Sequence, residues 1–196
     1  MPDELASLMA SMRACRICDG LPLGPNPIFQ LDPRVKVLIV GQAPGRITHA
    51  KDRPFDDPSG VRLRAWLGVD EATFYEDPRI GLFPMGLCFP GSGTSGDLPP
   101  RPECAQAWRA DVMAALNEVE LTLVLGQYAI GWHLPALKNV AVTEAVRRSS
   151  DGQSGVFVLP HPSPRNNRWL KKNDWFEAEV IPRIRSHVAR LLDTPL

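Results

Sequence analysis

At 196 residues, with 44% hydrophobic and 22% charged side chains, the chain suits one globular domain spanning 1–196 and is too short for two ordinary domains and a linker. A formal net charge of zero gives no overall basic excess to advertise a nucleic-acid binder, and 20 prolines, about twice ordinary usage, call for much ordered loop. Met1 to Ala10 carries Asp3 and Glu4 with no basic segment ahead of an apolar run, and nothing approaches the roughly 18 apolar residues of a membrane span, so a cytoplasmic monomer away from membranes is expected.

In chain order, Leu5 to Ala14 reads as a helix ahead of the first strand. Val35 to Val40 is a β-branched run closed by Gly41, and Ser59 to Leu67 has helical spacing. Ile80 to Phe83 is a short strand stopped by Pro84, followed by a helix over Pro102 to Leu116. Leu121 to Leu125, closed by Gly126, is a strand; Gln127 to Leu137 is a helix; Val156 to Leu159 is a strand stopped by a proline. Apolar residues at three-to-four spacing then predict a helix over Trp175 to Leu192. Strands alternating with helices imply an α/β/α sandwich around a mostly parallel sheet. In such a fold the working residues belong just beyond the carboxyl ends of the strands, which singles out Gly41-Gln42-Ala43-Pro44-Gly45 and His161-Pro162-Ser163-Pro164-Arg165-Asn166.

All four cysteines fall into two groups, Cys15-x2-Cys18 and Cys88-x15-Cys104. Four thiolates satisfy tetrahedral zinc or an iron-sulfur cluster, and spacing alone does not choose between them; four unrelated buried thiols acting as small hydrophobes are the alternative. Charge is also uneven. From His161 to Arg190, seven basic residues, Arg165 and Arg168 among them, face three acidic ones. Taken alone, that excess reads as a solvated helix face.

The order of these pieces resembles the family 4 uracil-DNA glycosylases: Cys-x2-Cys, a strand ending in Gly-x-x-Pro-Gly, Arg53-Pro54-Phe55, Cys-x15-Cys, Leu-Gly-x-x-Ala and a closing His-Pro. Asp57-Pro58-Ser59-Gly60 and His161-Pro162-Ser163 are closer to the related family 5 enzymes. The resemblance implies an enzyme of base excision repair that flips a deaminated base out of DNA and hydrolyses its glycosidic bond. It implies a 4Fe-4S cluster on Cys15, Cys18, Cys88 and Cys104, with zinc as the other metal. Phe55 would stack on the flipped base while Gly41 and Gln42 line the pocket opposite. His161 would donate to the base oxygen, Asp57 would orient water, and Gln42 would be the third catalytic residue. Arg165 stands where relatives place a leucine wedge, and with Asn166 and Arg168 it would meet DNA, giving the downstream basic excess phosphates to contact.

Two departures bear on substrate. Gln42 stands where family 4 has glutamate, and Pro84 stands at the position of the base-reading asparagine, followed by Met85 and Gly86. Loss of that amide should weaken discrimination, so uracil is the first expectation, hypoxanthine or xanthine the next, with backbone groups at Met85 or Gly86 as substitutes for the amide. A non-catalytic iron-sulfur DNA-binding module is the competing expectation. A phosphate-loop hydrolase is disfavoured because the Gly41 loop lacks a Gly-Lys-Ser/Thr ending.

Overall fold

A computed structural model of the protein describes residues 2–94 and 96–193. The chain forms α1 (Pro2–Arg13), β1 (Val37–Val40), α2 (Arg46–Lys51), α3 (Pro58–Leu67), α4 (Glu71–Glu76) and β2 (Ile80–Leu82). A small hairpin of β3 (Ser92–Gly93) and β4 (Gly96–Asp97) precedes α5 (Pro102–Ala115), β5 (Leu121–Leu125), α6 (Gly126–His133) and α7 (Val142–Arg148). The remainder is β6 (Val156–Leu159), α8 (Asn167–Lys172) and α9 (Ile181–Leu192).

The main sheet has the order β2-β1-β5-β6 with every neighbour parallel. Val37 pairs with Ile80 on one side and Leu121 on the other, and Thr122 pairs with Val156. All four residues of β1 are buried, as a strand covered on both faces requires. From β1 the chain steps outward to β2, then crosses back to β5 and on to β6. With right-handed crossovers, steps in opposite directions leave their helices on opposite faces. The packing agrees: α3 lies against α9, and α5 against α1. Strand order reverses beside β1, so the crevice at the carboxyl ends opens there.

Proline explains where the helices differ from expectation. The helix expected over Gln127 to Leu137 ends at His133, and Pro135–Leu137 is a separate 3-10 turn; the residue before a proline is pushed out of the helical region, and Leu134 sits at φ −133°, ψ 69°. Near the carboxyl end, Phe176–Val180 is a π-helical turn and α9 starts at Ile181, with Pro182 in its first turn. The proline has no N–H to continue the preceding ladder. Among the described residues, no helix is long and apolar enough to cross a membrane.

Candidate active site

A cleft of about 520 Å³ opens at the carboxyl ends of the strands, lined by the Gly41 to Gly45 loop, Phe55, Asp57, Ser59, Pro84, Asp97 and the His161 loop from Ser163 to Asn166. Helix α3 organises one wall. Asp57 is its N-cap, with Oδ1 accepting from the Gly60 N–H at 2.9 Å. A Cβ on Gly60 would fall on the Phe55 carbonyl, so glycine there lets that carbonyl lie against the helix. Phe55 has φ of 55°, a conformation a bulky residue adopts only under outside constraint. The constraint is visible: Arg64 Nη1 reaches the Phe55 carbonyl at 3.4 Å, and the Tyr75 hydroxyl donates to the Pro54 carbonyl at 2.9 Å.

The same helix steadies the opposite wall. Arg62 Nη1 donates to the carbonyls of Pro162 and Ser163, at 3.2 and 3.1 Å, and Nη2 donates to Asn167 Oδ1 at 2.6 Å. Asn166 Nδ2 donates to the His161 carbonyl at 2.7 Å. The imidazole is fixed too, because the Ser163 N–H donates to His161 Nδ1 at 3.2 Å. Nδ1 is thereby an acceptor, which leaves the proton of the neutral ring on Nε2. Burial lowers the His161 pKa, against the smaller pull of Asp57 and then Asp97. His161 is therefore neutral at pH 7, and its ring lies 6.5 Å from that of Phe55 at 29° to it, beyond direct stacking contact.

The segment after β2 behaves otherwise. The N–H groups of Met85 and Gly86 donate to the carbonyls of Gly41 and Gln42, at 2.8 and 2.9 Å. The carbonyls of Phe83 and Pro84 accept from Arg109 Nη2 and Nη1, at 2.9 and 3.1 Å. These four backbone groups are occupied, and the Met85 side chain packs in the core without lining the cleft. Arg109 is 1% exposed. Its Nε and Nη2 also face His133 Nε2 at 3.3 and 3.0 Å; burial, then the arginine charge, lowers the His133 pKa to about 3. Burial brings Arg109 itself down to about 9, still cationic at neutral pH. Nothing in the sequence marks Arg109, which sits between Trp108 and Ala110 in α5.

Thr48 and Ser59, only 5% and 6% exposed, also line the cleft. Ser59 belongs to the Asp57-Pro58-Ser59-Gly60 motif, whereas Thr48 lies outside every motif singled out. Gln42 lines the cleft, and its side chain donates to the Leu98 carbonyl at 2.8 Å. Arg165 lies at the rim, and a Cβ on Gly96 would come within 2.5 Å of its Nη1. Arg168 is exposed on α8, outside the cleft lining.

A family model described as the uracil DNA glycosylase superfamily matches residues 28–185. The chain belongs to that superfamily. Its members are DNA glycosylases, hydrolases acting on DNA. Among solved structures, a solution NMR structure of a candidate uracil DNA glycosylase from Methanosarcina acetivorans is 21% identical, with a TM-score of 0.49, over 83% of this chain and 98% of the other.

In this superfamily member the four cysteines line one further pocket, beside Leu21, Pro25 and Pro27. Packing of α1 on α5 carries Cys15 and Cys18, just past the end of α1, toward Cys104 in the first turn of α5. The Leu87 N–H donates to Cys104 Sγ at 3.2 Å. All four are free thiols; burial pushes the Cys104 thiol up to about 12 and also raises Cys88 and Cys18. Among the described residues, no three His, Cys, Asp or Glu side chains are grouped to hold a metal ion.

Proposed function

We propose that the cleft excises a deaminated base from DNA, uracil first, in base excision repair. The observation that carries this reading is a neutral His161, fixed through Nδ1 and facing the same cleft as the constrained Phe55. A base reaches such a site only when its nucleotide is flipped from the stack, and Phe55 then supplies the platform. As the glycosidic bond breaks, negative charge moves onto the base oxygens. The Nε2–H of His161 donates to one of them, a preorganised donor that needs no net charge. Asp57 places a carboxylate near the sugar cation that develops on the other side of the bond.

Recognition passes to groups other than the backbone after β2, because those are engaged by Gly41, Gln42 and Arg109. Thr48 and Ser59 line the cleft, and the hydroxyl of each can donate or accept. Hydroxyls read a carbonyl beside an N–H, the edge that deamination creates in uracil, hypoxanthine and xanthine alike. Hypoxanthine and xanthine are thus the second reading, favoured by the occupied segment at Pro84. Arg165 at the rim fits a wedge, and Arg168 fits a phosphate contact.

The cysteine pocket fits a 4Fe-4S cluster, which takes each of four thiolates on a separate iron, with zinc as the other metal. There it would tie the amino-terminal segment to the middle of the chain, with no part in the hydrolysis.

Oligonucleotides carrying single lesions, incubated with the protein and cleaved with alkali, test the reaction. We expect release of uracil, and a single-turnover rate about a hundredfold lower or worse in His161→Ala, the scale of one preorganised donor. Binding of lesion DNA with no release from any lesion would overturn the enzyme reading in favour of a non-catalytic binding module.

A further inference from the structure

The β3–β4 hairpin stands over the mouth of the cleft and brings in an acidic residue outside every recognised motif. Asp97 lines the cleft together with Asp57, His161 and Arg165. Its Oδ1 accepts from the Ser92 hydroxyl at 3.1 Å across the hairpin. Its Oδ2 lies 3.3 Å from where a Cβ on Gly45 would stand, a close approach that glycine in the loop after β1 leaves open. The hairpin is tied down at its base: the Leu98 N–H donates to the Gly91 carbonyl at 2.8 Å, and Gln42 Nε2 bonds the Leu98 carbonyl at 2.8 Å and reaches that of Asp97 at 3.5 Å. Asp57 likewise has one oxygen engaged, by the Gly60 N–H, but that bond makes it the N-cap of α3. Asp97 is the more exposed of the two and the closer to incoming solvent.

The geometry points to Asp97 as the carboxylate that activates water in this cleft, with Gln42 as the residue that positions it. The inference rests on the glycosylase reading. Water oxygen attacks the sugar C1′ and its proton passes to the Asp97 carboxylate. The C1′–N bond breaks and its electron pair leaves with the base, whose oxygen accepts from His161 Nε2–H. The base then takes a proton from solvent, giving free base and an abasic sugar. Two carboxylates thus divide the labour: Asp57 is an N-cap that faces the sugar as a fixed charge, and Asp97 carries the proton. Gln42 keeps the place of a catalytic side chain in sequence while acting through the hairpin.

Single-turnover release from a uracil oligonucleotide, with lesion-DNA affinity measured alongside, tests both assignments. Asp97→Asn should lower the rate about a hundredfold with affinity within about threefold of the unmodified protein, since the group acts in the transition state. Gln42→Ala should lower it about tenfold. Because Gln42 acts through Asp97, the double variant should be no slower than Asp97→Asn alone. Multiplying losses in the double variant would overturn the positioning role, and near-unmodified rates in Asp97→Asn would overturn the inference while leaving the glycosylase standing. An unmodified protein that releases no base would overturn both. An NMR titration of His161 reads the placement without catalysis: removing the Asp97 charge should lower its pKa further, and an unmoved titration would contradict the proximity.

Discussion

Residues 83–88 serve two sites in two ways. On the cleft side, the N–H groups of Met85 and Gly86 are engaged by Gly41 and Gln42, and the carbonyls of Phe83 and Pro84 by the buried Arg109. On the far side, two residues on, it supplies the Leu87 N–H and Cys88 to the cysteine pocket. Burial also acts oppositely in the two places. It lowers the His161 pKa and so keeps the ring neutral, the form its proposed chemistry uses, and it raises those of Cys18, Cys88 and Cys104, favouring the protonated form that binds metal worst. The chemistry proposed for the cleft uses the chain's own side chains, whereas that proposed for the cysteine pocket needs a cation from outside.

The largest expected effect separates the two sites by stability. If the pocket holds a metal, its binding energy is folding energy. Cys88→Ser or Cys104→Ser should lower the melting temperature by on the order of 10 °C, given about 2–4 °C per kcal/mol in a chain of this size. Protein purified without oxygen should be brown, with about four irons per chain. His161→Ala should leave that colour and melting temperature unchanged. Colourless protein carrying one zinc per chain would replace the cluster and leave the cleft intact.

A smaller effect comes from the pair behind the wall. His133 titrates at about 3 when folded and near 6.5 when unfolded. Between those values the unfolded chain takes up a proton that the folded chain refuses, so stability present above about pH 6.5 is lost as pH falls toward about 3. At pH 4.5 the loss should be about 2 kcal/mol relative to pH 7, with one pKa unit worth about 1.4 kcal/mol. His133→Gln keeps an acceptor for Arg109 and removes the titration. Comparing urea midpoints at the two pH values should show a flatter acid limb in that variant, and identical limbs would mean that His133 is not held neutral.

How much of this was legible follows from what each residue type signals alone. The four main strands announce themselves because buried parallel strands are continuous apolar runs, and Gly41, Pro84 and Gly126 end theirs abruptly. Cys15 and Cys18 are legible as a pair by spacing, but their meeting with Cys104 depends on α1 packing against α5. The β3–β4 hairpin has strands of two residues among glycines and serines, too short for any alternation, so Asp97 reads as an ordinary turn acid. Arg109 has the same difficulty: between Trp108 and Ala110 on an amphipathic helix, with Asp111 two residues on, it looks like part of a solvated face. Arg62 and Arg64 show nothing of their loop contacts until the fold brings those loops to α3.

The smallest expected effect tests whether the rim of the cleft touches the duplex as a wedge or as a charge. Arg165 sits in the turn after Pro164, against Gly96 of the hairpin, at the edge where a flipped nucleotide would enter. A wedge matters only when a stack must be kept open, because a single strand has no partner base to hold the gap. A phosphate contact matters on both substrates, since each presents the same backbone charge. Arg165→Ala should therefore lower excision from double-stranded DNA several-fold more than from single strands, with Arg168→Ala, on the exposed face of α8, as the control expected to lower both by about the same factor. Arg165→Lys sharpens the contrast, because lysine keeps the charge while losing the planar guanidinium that stacks. Recovery by lysine on both substrates would make Arg165 a phosphate contact; recovery on single strands alone would make it the wedge.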